Sequence, residues 1–271
     1  MCTVSVITLP HGFRLVSNRD EQRSRPLASR PAWRDTTSPR SRDAVATQTP
    51  PLRAIWPADR LRDGSEVGTW IAASERGLAM TLLNLNLTPP PTLPPGLHSR
   101  GDLIPALIHL NSPHAVSAAL HATDLSPYAP FRLIAVDRPT ADEPPVVAEI
   151  RWDRMTIATA WHRPPVCFAS SGLGDDPVQV RLPLFDETVG PRPSDPTAQD
   201  AFHAHVWPDR THLSVLMSRA DARTVSTTAV QVLRDAWTGR ASVTMTYRPI
   251  ECVVTPSSPA CGGGVNEALR S

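Results

Sequence analysis

The sequence predicts one β-rich α+β domain, with two packed sheets flanked by helices. Three observations lead there. Apolar strand hairpins stand at both ends of the chain, helix-patterned segments lie between them, and thirty prolines among 271 residues punctuate the connections. No segment shows the strand–helix–strand alternation of a dinucleotide-binding domain, and no internal repeat is visible.

Residues 2–9 and 13–18 read as a hairpin that turns at Pro10-His11-Gly12. Residues 22–62 read as an irregular, exposed excursion. Counted from Arg14 to Arg62 inclusive, eleven arginines face only five acids, interspersed with Ser, Thr and Pro. A second hairpin follows, Gly68 to Ser74 and Leu78 to Asn84, turning at Glu75-Arg76-Gly77. After a proline-rich loop, a helix starts near Arg100 with Leu103, Ile104, Leu107 and Ile108 on one face. Pro113 to His121 forms a second helix, N-capped by Ser112. Strands resume at 131–136, 146–150 and 156–160, and Ser170-Ser171-Gly172-Leu173-Gly174 is a tight loop. A helix covers Pro196 to His205, and strands at 226–233 and 242–247 end the domain. The domain is therefore residues 1–250, with 251–271 a flexible tail.

Composition narrows the function. The formal charge is +1, which gives no general attraction to nucleic acid or anionic membrane. All 27 basic residues are arginine, so no lysine Schiff base or lysine general base is available. No apolar run approaches the roughly 20 residues that span a bilayer. The N-terminus lacks the pattern of a signal peptide. Cys2, Cys167, Cys252 and Cys261 form neither a Cys-x-x-Cys pair nor a metal-ligand spacing. A reducing cytoplasm fits these cysteines. No metal and no bound cofactor is expected.

The chemistry-bearing feature is Cys2. Removal of Met1 would place a thiol and a free α-amine on one residue. That amine, with a pKa near about 8, is then a base for its own side chain. The predicted hairpin register brings Arg19 and Asp20 beside Cys2. Arg19 supplies a cation that favours thiolate, and Asp20 a carboxylate that orients the amine.

The chain resembles the NRDE family, also called the transport-and-Golgi-organisation family. The resemblance rests on Met1-Cys2, Asn18-Arg19-Asp20-Glu21 with Ser24-Arg25-Pro26, Gly68-Thr69-Trp70 leading to Asn84, and Ser99-Arg100-Gly101. Tyr128 with Phe131 to Asp137, the Ser170 to Gly174 loop, and Arg223-Thr224 before the last hairpin complete it. These blocks span about residues 2–249. Two departures are Val67 before Gly68 and Leu83 before Asn84.

The resemblance implies a four-layer αββα sandwich of the N-terminal nucleophile hydrolase type. It implies a Cys2 hydrolase acting on a non-peptide amide or related acyl bond of a small molecule. Asn84 would donate to the oxyanion, and Arg223 would complete the site. The alternative is a non-catalytic protein on the same fold that binds or moves haem, lipid or acyl-CoA. Haem would need an axial ligand, for which His162, Cys167, His203 and His205 are the candidates. A structural adaptor has no signature here, since the proline runs read as loops.

Overall fold

Cys2–Leu9 (β1) and Gly12–Gln22 (β2) form the first hairpin of a computed structural model that describes residues 2–36 and 52–250. His11 turns the chain at a φ of 55°. Gly12 keeps the hairpin close to its other neighbour, because a Cβ there would collide with the Val232 carbonyl. That neighbour is Ala222–Arg234 (β13), which pairs with Ala241–Pro249 (β14). Val166–Ser170 (β12) pairs with the far side of β1, giving a five-stranded antiparallel sheet in the order β12-β1-β2-β13-β14.

The second sheet has seven strands, in the order β11-β10-β9-β8-β7-β4-β3. They are Ala32–Thr36 (β3), Leu52–Trp56 (β4), Ile71–Ser74 (β7), Ala79–Asn84 (β8), Phe131–Asp137 (β9), Val146–Trp152 (β10) and Ile157–His162 (β11). A small ribbon, Asp59–Arg60 (β5) with Glu66–Val67 (β6), stands apart from both sheets. Strands β3 and β4 occupy part of the 22–62 stretch that the composition marks as irregular. Its residues 37–51, Met1 and the 251–271 segment with Cys252 and Cys261 lie outside the described residues.

The period-2 alternation of β1 builds two cores at once. Val4 and Val6, with Phe13 and Leu15 of β2, meet Ile71, Ala73, Leu83 and Ile134 of the other sheet. Burying each large apolar side chain there is worth roughly 1.5–3 kcal/mol. Ile7 and Leu9 face the opposite way, onto Phe185 of helix Arg181–Val189 (α3) and Phe202 of helix Pro196–His203 (α4). The outer face of the seven-stranded sheet packs on Leu103–Leu107 (α1) and Pro113–His121 (α2). The layers are therefore α3/α4, sheet, sheet, α1/α2, which is the expected αββα sandwich. Ser112 caps α2, its Oγ accepting from the Ala115 N–H at 3.1 Å.

No helix among the described residues is long and apolar enough to cross a membrane.

Candidate active site

The hairpin register sets the site. Cys2 lies opposite Arg19 on β2 and opposite Ser170 on β12. Antiparallel partners project to the same face, so Cys2 and Arg19 share the face between the sheets. Asp20 and Thr3 project to the other face, toward α3. The two residues after Asn18 therefore serve different surroundings, although both reach the end of the sheet.

At that end is a cleft of about 590 Å³, lined in part by Cys2, Arg19, Asp20 and Asn84. Trp70 lines it as well, with Arg25, Asp59, Arg100 and Arg219. Four of the five residues that the sequence marks as catalytic thus come to one place. Arg223 does not line the cleft. It stands opposite Glu21 and donates from Nη1 to the Ile250 carbonyl at 2.8 Å. A register shift between Thr224 and Ser226 separates it from the strand positions facing Arg19.

Burial pushes the Cys2 thiol above its ordinary value. Asp20 adds to the rise, while Arg19 and a hydrogen bond from the Asp20 backbone N–H oppose it. The sulfur is therefore a thiol at neutral pH and needs a base to become a nucleophile.

Arg19 is heavily engaged. Its Nη2 lies 2.7 Å from Asp59 Oδ1 and 3.3 Å from Glu21 Oε2. Its guanidinium sits 4.5 Å over the Trp70 ring. Arg25 closes the same network, at 2.9 Å from Glu21 and 3.1 Å from Asp59. Asp20 has a different set of partners. Its Oδ1 accepts from Thr224 Oγ1 at 2.6 Å, and Arg181 Nη1 lies 3.8 Å from its Oδ2. Burial raises the Asp20 carboxyl above the usual range, and Arg181 and Thr224 oppose that rise. Arg181 is itself 1% exposed, held by Thr3 Oγ1 at 2.6 Å and the Leu213 carbonyl at 2.9 Å.

Asn84 ends β8, and its carbonyl accepts from Ser170 Oγ at 2.7 Å. Asn86 continues this tie between the sheets, donating from Nδ2 to Ser170 Oγ at 3.1 Å and to Asp175 Oδ1 at 3.0 Å. Asp175 also accepts from the Ser171 N–H at 3.0 Å. These bonds fix the 170–174 loop, whose Gly172 lines the cleft.

The candidate haem ligands do not converge. His203 is buried, with Nε2 2.7 Å from Ser5 Oγ and Nδ1 3.1 Å from Asn18 Oδ1. His162 Nε2 is 3.0 Å from Glu149. Burial pushes the Cys167 thiol up. None of these, nor His205, lines the Cys2 cleft. The imidazole that does line the cleft is His98, which is not among those candidates. Among the described residues there is no cluster of three or more His, Cys, Asp or Glu side chains set to hold a metal ion.

Asp59, Arg100, Arg181 and Arg219 escape a reading of the sequence for chemistry. Ser99-Arg100-Gly101 carries a family signal, whereas Asp59, Arg181 and Arg219 carry none and are found only through the fold.

Two solved structures of variants of conjugated bile acid hydrolase from Clostridium perfringens are similar to the chain. They show 10% and 11% identity, each with a TM-score of 0.49. They cover 92% and 93% of this chain and 97% of their own. No curated protein matches the chain. The family model described as Transport and Golgi organisation 2 matches residues 1–151, more than half of the sequence, and it includes Cys2, Arg19, Asp20, Trp70, Asn84 and Arg100. The protein belongs to the Transport and Golgi organisation 2 family.

Proposed function

We propose that the protein is a Cys2-dependent hydrolase of a small-molecule amide or related acyl bond. The observation that carries this reading is the placement of Cys2. The second residue of the chain begins a central strand and puts a cysteine side chain in the wall of the cleft, opposite Arg19.

The reaction starts after removal of Met1. The Cys2 sulfur attacks the substrate carbonyl, and its proton passes to the Cys2 α-amine as the carbon–sulfur bond forms. The amine then returns the proton to the leaving nitrogen as the carbon–nitrogen bond breaks. Water hydrolyses the resulting thioester, with the same amine as base. Arg19 lowers the cost of forming thiolate. Asp20, whose charge Arg181 offsets, orients the amine. Asn84 donates to the oxyanion, a contact typically worth about 3 kcal/mol of barrier. Arg223, held on Ile250 outside the cleft, has no part in this scheme.

The test is the intact mass of the purified protein before and after a thiol-reactive electrophile, followed by an amide and thioester screen. Loss of Met1, modification at Cys2, and turnover absent from Cys2→Ala are the expected results. Retention of Met1 rules out the terminal-amine mechanism. Turnover that survives Cys2→Ala rules out the nucleophile.

A further inference from the structure

The cleft contains four arginines and four carboxylates, and they do not cancel evenly. Glu21 and Asp59 share Arg19 and Arg25. Asp221 pairs with Arg219 at 2.7 Å. Asp20 takes Arg181 from the layer behind. Arg100 is the remaining cation. Among the described residues it makes no ion pair, and its one hydrogen bond runs from Nη1 to the Pro130 carbonyl at 2.8 Å. A guanidinium has five N–H donors, so most of the capacity of this cleft-lining side chain has no acceptor among the described residues.

The backbone holds Arg100 in place. Thr69 N–H donates to the Gly101 carbonyl at 3.0 Å, and Gly101 N–H donates to Ser99 Oγ at 3.2 Å. Gly68 lies so close to this turn that an added Cβ would stand 2.5 Å from the Gly101 carbonyl group. The Gly68-Thr69-Trp70 and Ser99-Arg100-Gly101 motifs are thus one unit, which fixes a partly desolvated guanidinium in the same cleft as the Cys2 thiol. Such a preset cation binds an oxyanion with little ordering cost.

We propose that Arg100 docks an oxyanion group, carboxylate or phosphate, of the molecule whose acyl bond Cys2 attacks. The proposal rests on the Cys2 reading for the identity of the bond, but the anion site exists independently of it. It places anion recognition on an arginine that has no carboxylate partner among the described residues.

The probes are iodoacetate and iodoacetamide, which deliver similar alkylating groups with and without a carboxylate. Alkylation rates at Cys2, followed by peptide mass, give a ratio to compare with the ratio for 2-mercaptoethanol. The native protein is expected to favour iodoacetate by about tenfold or more over that reference, as a charge-assisted hydrogen bond allows. Arg100→Gln should return the ratio to the reference, and Arg100→Lys should keep part of the preference. An unchanged ratio in Arg100→Gln overturns the proposal. If Cys2 reacts with neither reagent, the nucleophile reading fails and thermal unfolding decides the anion site. Phosphate or succinate should then stabilise the native protein beyond sodium chloride of equal ionic strength, and Arg100→Gln should not respond. The anion that acts distinguishes phosphate from carboxylate. Equal responses in both proteins, or no response in the native one, overturn the proposal.

Discussion

Protonation of His203 should control the acid stability of the sheet that carries Cys2. The hydrogen bonds fix its neutral form. Asn18 Nδ2 donates to the His203 and Val215 carbonyls, so Asn18 Oδ1 accepts from Nδ1–H. Gln199 Nε2 donates to Ser5 Oγ at 2.8 Å, which leaves the Ser5 hydroxyl proton for His203 Nε2. A second ring proton would oppose that donor in a fully buried site that also faces Arg14 and Arg181. Burial foremost, with those two arginines, pushes His203 down from 6.5 to about 3. Because the folded value lies below the unfolded one, the contribution is complete above about pH 6.5 and is lost as pH falls toward 3. Each pH unit in that window removes about 1.4 kcal/mol, so the full loss approaches about 5 kcal/mol. Urea unfolding at about pH 7 and about pH 4.5 should differ by roughly 3 kcal/mol from this group alone. His203→Gln lowers stability at both pH values but should remove that share of the pH slope. Parallel pH slopes for the native protein and His203→Gln would refute the buried neutral assignment.

Two further substitutions test how the cleft is supported. Arg181→Met removes the cation that offsets Asp20 and should cost about 3–5 kcal/mol in urea unfolding. Adding Asp20→Asn should recover part of that loss, and a cost within error of zero would show that the pair is not coupled. Gly68→Ala forces the Ser99-Arg100-Gly101 turn away and should cost about 1–3 kcal/mol. The same variant should weaken the iodoacetate preference at Cys2, and a preference of native size would separate the turn from Arg100.

The parts of the fold that were legible share one property, a local signal. The first hairpin is set by eight residues, a Pro-His-Gly turn and a return strand, so the Cys2–Arg19 pairing follows from counting. The α2 helix starts where Ser112 precedes Pro113, and its cap confirms the reason. Strands β3 and β4 carry no such signal. Ala32 to Arg34 are largely exposed or half-buried, and their alternation is hidden among arginine and proline. Helix α3 continues from a short 3₁₀ turn and has no side-chain N-cap, so nothing in its sequence marks where it starts. The arginines carry no local signal of this kind. With 27 of them and no lysine, residue type says nothing about which is paired. Arg223 and Arg100 look equivalent in sequence and differ only in whether the fold places the side chain in the cleft.

Strand alternation explains why adjacent Arg19 and Asp20 do not act as a pair. Arg19 shares the face of Cys2 and is fixed there by Asp59, Glu21 and the Trp70 ring, so its field reaches the thiol while its Nη2 is held by two carboxylates. Asp20 faces α3, where Arg181 and Thr224 offset part of the cost of its burial, with a smaller contribution from Arg219 of the cleft. This division leaves the cleft with a raised thiol, acids already matched to arginines, and, among the described residues, one lining arginine without a carboxylate. A nucleophile in that setting gains little from the neighbouring acids as bases, since each is already engaged. The α-amine exposed by removal of Met1 is the base the arrangement lacks, and an anionic substrate is the counter-charge it lacks. The two requirements are independent, because the first concerns the terminus of β1 and the second a turn held by Gly68.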